Sequence, residues 1–235
     1  MILSNLQIGG LTPLTSTDYP GCLAAVIFCQ GCPWRCGYCH NPHLIPRHGE
    51  NLLQWSDVTS FLHRRQGLLD AVVFSGGEPT LQDGLRHAMA EVREFGFKVG
   101  LHSGGAYPAH LGELLPLSSW VGMDIKADYA NYDRVTGTPG SGKKARESAE
   151  RLLASGVPYE FRTTVHPLYH TPDSLLQLAQ DLQQLGAEHF VLQEFRSQGC
   201  AEEAVSSTYS AQELLTDELC ERIGSLFASF SVRRT

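Results

Sequence analysis

No run of 18 or more apolar residues occurs in the 235-residue chain, so no membrane-spanning helix is expected. The N-terminal MILSNLQIGG has no basic region followed by a long apolar stretch, so no secretory signal is expected either. Positive charge is in deficit. The chain has 18 Lys and Arg against 25 Asp and Glu, a net charge of −7, and its cations are scattered along the sequence. That distribution lacks the basic stripe of a nucleic-acid binder, so no nucleic-acid or membrane partner is expected. No segment repeats at a fixed period and no low-complexity linker divides the chain. We read residues 1–235 as one domain, a length common for undivided α/β barrels.

Cysteine is not scarce. There are seven, and four of them lie between positions 29 and 39. A chain of this length buries enough surface to need no disulfide staple. Clustered thiols then point to metal in a reducing compartment, and a cytoplasmic location is the expectation. Within FCQGCPWRCGYCHNP (28–42), Cys32, Cys36 and Cys39 are spaced Cys-x3-Cys-x2-Cys. Thiolates so close together suit a soft centre: an iron–sulfur cluster, zinc or cuprous copper. A cubane cluster normally takes four cysteines, so three leave one iron open. Gly31, Pro33 and Gly37 let the backbone wrap, and Tyr38 sets a ring beside the last thiol.

Cys29 permits another reading, since Cys29-x2-Cys32 and Cys36-x2-Cys39 are also two knuckles. A zinc ribbon separates its knuckles by about 15–20 residues, whereas only Pro33, Trp34 and Arg35 intervene here. Zinc and a redox thiol pair remain alternatives to the cluster. Cys29 closes an apolar run, where a buried structural thiol is ordinary. Cys22, Cys200 and Cys220 have no partner spacing and read as structural. His40, His43 and His48 read as solvated loop residues.

Strands alternate with helices along the chain. Residues 23–28 (LAAVIF), 69–75, 97–102, 120–125, 159–165 and 189–193 have the length and apolar character of buried parallel strands. A short edge strand precedes them within the first twenty residues. Helices are expected from a Ser56 cap to Arg65, over 81–95, 108–115 and 143–155 (stopped by Gly156), and from a Thr171 cap to Leu185. Residues 210–230 read as a further helix, with Leu214, Leu215, Leu219, Ile223 and Phe227 on one face. The alternation implies right-handed crossovers and a parallel sheet. The fold class is α/β, with six βα units suiting a partial (β/α)6 barrel over a core of about 20–196.

Polar residues gather where barrels of this kind place their sites, after the C-terminal ends of strands. Gly76-Gly77-Glu78-Pro79 follows the second strand; two glycines allow close backbone approach, and Glu78 is an acceptor for a cation. Ser103 ends the third strand beside His102, which reads as a hydrogen-bonded histidine. Asp124 and Lys126 lie two apart on one face of the fourth, where charge is costly unless paired or used. Arg162 and Thr164 share a face of the fifth. Gln193 and Arg196 stand at the end of the sixth.

Cys-x3-Cys-x-aromatic-Cys after a first strand resembles the radical S-adenosylmethionine (SAM) superfamily. The string DYPGCLAAVIFCQGCPWRCGYCHNP (18–42) is similar to glycyl-radical-enzyme activases, above all the short activases of anaerobic (class III) ribonucleoside-triphosphate reductase. The resemblance implies the (β/α)6 barrel and one [4Fe–4S] cluster on Cys32, Cys36 and Cys39, its open iron chelated by SAM. It implies SAM contacts from Tyr38, Gly76, Gly77, Glu78, Ser103, Asp124, Lys126, Arg162, Thr164, Gln193 and Arg196. Relatives carry Thr-Asn-Gly where Ser103-Gly104-Gly105 stands, with Asp one place earlier in the position of His102. The implied activity is reductive cleavage of SAM and formation of a glycyl radical on a partner enzyme, with flavodoxin or ferredoxin as electron donor. No catalytic residue beyond the cluster and SAM ligands is implied. Two other readings stay open: a radical SAM enzyme acting on a small molecule, similar to deazapurine synthases, and a non-catalytic cysteine-bound metal or electron-transfer module.

Overall fold

The computed structural model describes residues 6–200 and 211–234. The apolar runs become strands β2 (Ala24–Cys29), β3 (Ala71–Gly76), β4 (Lys98–Ser103), β5 (Trp120–Asp124), β6 (Tyr159–Val165) and β7 (His189–Glu194). All six pair in parallel with their sequence neighbours. β1 (Ile8–Thr15) adds an antiparallel edge against β2, and β8 (Ser229–Arg233) adds a parallel edge against β7. The sheet order is β1 through β8, each strand beside its sequence neighbours, the arrangement of a partial barrel.

Both faces of β2 and β3 are buried, which is why their sequences run apolar without alternation. Ala25, Ile27, Val72, Phe74, Leu101 and Val121 face one core, which they share with Leu85, Met89 and Leu111 of the helices. Their alternates Ala24, Val26, Ala71, Val73 and Trp120 form a second core with Tyr19 and Cys22, which plugs the interior. Phe74 is fully buried, so truncation to Ala would cost about 3–5 kcal/mol.

Helices α1 (Trp55–His63), α2 (Leu85–Glu94), α3 (Pro108–Leu114), α4 (Tyr132–Thr136), α5 (Ser141–Ser155), α6 (Pro172–Gln184) and α7 (Asp217–Gly224) lie in the connections. Gly156 ends α5 and Thr171 caps α6, as expected, the latter in a capping box with Ser174. Ser56 caps nothing: α1 starts at Trp55, after Gln54. The helix expected over 81–95 is a 3-10 turn, Pro79–Leu81, followed by α2.

The expected helical tail over 210–230 is corrected. Ser210 lies outside the described residues. Ala211–Glu213 is a 3-10 turn, α7 is eight residues long, and β8 follows it. Leu215, Leu219 and Ile223 are buried as the periodicity requires. The residues 229–233 (SFSVR) alternate instead, and they extend the sheet by pairing with β7. No helix of the described residues is long and apolar enough to cross a membrane.

Candidate active site at the mouth of the sheet

The cysteine loop leaves the end of β2 and is tied down along its length by backbone hydrogen bonds. Gly31 N–H donates to Leu44 O (2.8 Å), Cys32 N–H to Ile45 O (3.1 Å), Arg35 N–H to Thr136 O (2.8 Å) and Gly37 N–H to Val135 O (3.3 Å). Cys32, Cys36 and Cys39 thereby line one cavity of about 200 Å³. Among the described residues, no three His, Cys, Asp or Glu side chains converge tightly enough for a single metal ion. The thiols border a space instead, which suits a bulkier cluster. Burial pushes the Cys32 thiol up to about 12 and Cys36 up to about 11. They stay protonated until a cation compensates the thiolate charge. This soft, three-sulfur donor set fits an iron–sulfur cluster.

Cys29 is fully buried in the core and does not border the cavity, so it stands apart from that trio. Cys22 is buried as well. Cys200 is less remote than its spacing suggests: its thiol lies 3.6 Å from Tyr38 O, behind the loop. Tyr38 is buried at the cavity wall, stacked on His166 (centroids 6.0 Å apart) and edge-on to Tyr169 (5.6 Å). Among the described residues its hydroxyl, a buried polar atom, has no hydrogen-bond partner.

The Gly-Gly-Glu-Pro segment docks on that loop: Gly77 N–H donates to Cys29 O (2.9 Å) and Glu78 N–H to Gly31 O (2.8 Å). A Cβ on Gly76, whose φ is +113°, would stand 2.5 Å from the Cys29 backbone, and one on Gly77 would collide with Gly31 O. The glycines are therefore needed for one loop to approach the other, a reason sequence reading assigned to a ligand. Glu78 is 1% exposed. Its Oε1 accepts from Thr80 N–H (3.1 Å), Thr80 Oγ1 (2.6 Å) and Ser103 Oγ (2.8 Å), and its Oε2 accepts from Gly104 N–H (2.9 Å). Only Oε2 keeps ready capacity for a further donor from the cavity. Ser103 donates to Glu78 and accepts from Gly105 N–H (2.9 Å), so it acts first on its own loop.

Asp124 and Arg162 are cross-strand partners on β5 and β6. Arg162 Nε donates to Asp124 Oδ1 (2.9 Å), and Lys126 Nζ to Asp124 Oδ2 (3.0 Å). Burial alone would raise the Asp124 carboxyl, but Arg162 and Lys126 together hold it well below the usual carboxylate range. His102 Nε2–H donates to Asp18 O (2.8 Å), leaving Nδ1 to accept from Ser75 Oγ (3.4 Å). That tautomer is neutral, and burial followed by the nearby Arg162 cation takes its pKa down to about 3. Gly76, Gly77, Glu78, Ser103, Asp124, Lys126, Arg162 and Thr164 share the cavity with the three cysteines and Tyr38.

Gln193 and Arg196 do not reach that cavity. They line an adjoining hollow of about 380 Å³ with Asp18 and Arg233, bounded in common by His102, Asp124, Arg162 and Thr164. The two spaces together have the size of a small-molecule site. His40, read as solvated, is half-buried between them, with Nε2 2.8 Å from Arg196 O and its ring 5.6 Å from Phe195. Its loop position gave no signal of this, because the contact depends on a segment 156 residues away. His43 and His48 are exposed, as expected.

A family model described as the Radical SAM superfamily matches residues 26–192. A Methanocaldococcus jannaschii protein named for glycyl-radical enzyme activation is 27% identical over 205 residues, 83% of this chain and 82% of its own. The Staphylococcus aureus (strain USA300) pyruvate formate-lyase-activating enzyme is 30% identical over 188 residues, 73% of each chain. Among solved structures, Escherichia coli QueE superposes with a TM-score of 0.61 at 17% identity, over 97% of this chain and 94% of its own.

Proposed function

This chain is an enzyme of the radical SAM superfamily, and from that premise we propose that it is a glycyl-radical-enzyme activase whose partner is anaerobic ribonucleoside-triphosphate reductase. The observation that carries the reading is one cavity at the strand ends, bordered by three thiols on one side and the Asp124–Lys126–Arg162 network on the other. Relatives named as activases support the coarser part. The likeness of residues 18–42 to the short reductase activases supports the choice of partner.

In this reading Cys32, Cys36 and Cys39 hold a [4Fe–4S] cluster and the remaining wall holds SAM. Together these groups supply the one-electron cleavage of the sulfonium and the abstraction of a hydrogen atom from a partner glycine. The protein orients and excludes water. Glu78 Oε2 would accept from the SAM ammonium, and Lys126 and Arg162 would provide positive charge for its carboxylate. Tyr38 closes the wall beside the last cysteine, and Thr164 with Gln193 and Arg196 lines the approach. Flavodoxin or ferredoxin delivers the electron.

The test is anaerobic: reconstitute with iron and sulfide, add SAM and dithionite, and assay 5′-deoxyadenosine, then repeat with the reductase and look for its glycyl radical by electron paramagnetic resonance. Cleavage together with a radical on the reductase is expected. Cleavage without a radical on the reductase removes that partner; absence of cleavage in a fully loaded protein removes the enzyme reading.

A further inference from the structure

The chain's cations include one cluster, Arg134 to Arg146, which the fold sets beside the cysteine loop. Residues 129–150 carry Arg134, Lys143, Lys144 and Arg146, all exposed, against Asp133, Glu147 and Glu150; Arg146 is paired with Glu150 (3.1 Å) and Glu147 with Arg151 (2.9 Å), which leaves Arg134, Lys143 and Lys144. Asp133 is spent locally. Its carboxylate accepts from Gly140 N–H (2.8 Å) and Ser141 N–H (3.0 Å) at the start of α5, so that helix N-terminus already holds its anion. Arg134 lies over the Tyr169 ring and Lys144 over Tyr107, which leaves their charge available to solvent.

This region is zipped to the cysteine loop. Besides the bonds from Arg35 and Gly37 to Thr136 and Val135, Thr138 Oγ1 donates to Pro33 O (3.4 Å). Exposed Arg35, next to Cys36 in the chain, therefore joins the same patch. Among the described residues neither Arg35 nor Lys143 has an ion-pair partner. Neither the cavity nor the hollow over β6 and β7 is lined by Arg35 or by any residue of 129–146. A basic surface on a chain of net charge −7 thus abuts the cysteine loop from outside the site.

We infer that Arg35, Arg134, Lys143 and Lys144 form the docking surface for an acidic one-electron donor protein, an inference that rests on the activase reading above. A complementary acidic face would be steered to this patch, and electrostatics of this kind raises the association rate without needing a large interface. Redox encounters are characteristically small and transient. Docking here sets the donor beside the Pro33–Cys36 backbone and leaves the hollow over β6 and β7 free for the protein substrate. One electron leaves the donor and one arrives at the centre held by Cys32, Cys36 and Cys39; no atom or proton moves.

The probe is an acidic bacterial flavodoxin. Binding of its oxidised form is followed by titration calorimetry, and reduction of the reconstituted cluster by its reduced form is followed by stopped-flow absorbance. For K143E/K144E, and separately for R35Q, we expect at least tenfold weaker binding and slower reduction by flavodoxin, with dithionite reduction unchanged. In wild type both flavodoxin readouts should weaken steeply as salt is raised. Equal flavodoxin binding and rates in wild type and variants, with dithionite still competent, overturn the docking surface alone. A cluster that accepts no electron from dithionite overturns the activase reading, and this inference falls with it.

Discussion

Arg162 and Asp124 stand directly opposite each other on β6 and β5, and their side chains meet at 2.9 Å. Strand register puts the acid and the base at the same height on the mouth of the sheet. Lys126 then reaches back to the other carboxylate oxygen, so one anion serves two cations.

Asp124→Asn should therefore destabilise the fold, because it leaves Arg162, whose side chain is 9% exposed, without its counter-charge. Asp124 is itself about a third exposed to the cavity, which lowers the cost below that of a fully buried pair; about 2–3 kcal/mol is expected. Urea unfolding of the iron-free protein measures it, and a loss under about 0.5 kcal/mol would mean that water already screens the network.

Acid should weaken the fold through His102. Its folded pKa, about 3, lies below its ordinary 6.5, so between these values the unfolded chain binds a proton that the folded chain refuses. Stability is complete above pH 6.5 and falls as pH drops through that window, by at most about 1.4 kcal/mol per pH unit. His40 and His170 are shifted the same way and add slope of the same sign. His102→Gln keeps a donor for Asp18 O and should flatten the slope relative to wild type between pH 4 and 6.5. Parallel slopes for the two proteins would contradict the neutral buried imidazole. Asp124 adds slope only at the acid end: its depressed carboxyl contributes stability that is complete above the ordinary carboxylate range and is lost as pH falls through and below that range.

Iron loading separates the cysteines. Cys32→Ala, Cys36→Ala and Cys39→Ala should each lower iron and sulfide after reconstitution at least severalfold and abolish SAM cleavage, while Cys29→Ala and Cys200→Ser retain both. Iron analysis and visible absorption read the result. Loss of the cluster in Cys200→Ser would make that thiol, close behind Tyr38 O, part of the centre.

Glu78 and Ser103 should part company in a titration with SAM. Ser103→Ala removes the hydrogen bond to Glu78 and the one from Gly105 N–H, and is expected to cost about 1–3 kcal/mol of stability with little change in SAM affinity. Glu78→Gln puts an amide N–H₂ where donors already converge, and should weaken SAM at least tenfold in calorimetry of the cluster-loaded protein. A larger SAM defect in Ser103→Ala than in Glu78→Gln would reverse the assignment.

β2 and β3 were legible as apolar runs buried on both faces, while β6 (YEFRTTV), with Glu160 and Arg162 inside it, was legible by its place in the alternation of strands and helices. Asp124, Lys126, Arg162 and Thr164 were legible by their place at strand ends. The Asp124–Arg162 bond was not, since register is set by the sheet and not by either segment. α4 escaped because five residues are too few to display a helical period. β8 escaped for a different reason: Leu215, Leu219 and Ile223 do have helical spacing, and that signal carried past Gly224 into a half-exposed alternating strand. His40 and Cys200 could not be placed, because loop contacts between residues so far apart leave no local trace.

The backbone bonds that tie the cysteine loop to Leu44, Ile45, Val135 and Thr136 run within the chain and involve no thiol. Ordering a loop costs roughly 1–2 kcal/mol per residue, and here folding of the sheet has already met that cost. Cluster assembly then draws on little conformational entropy, and cluster loss returns little. If the proposed cluster is lost to air, these bonds should hold the three thiols in register, so oxygen is expected to inactivate the protein without unfolding it.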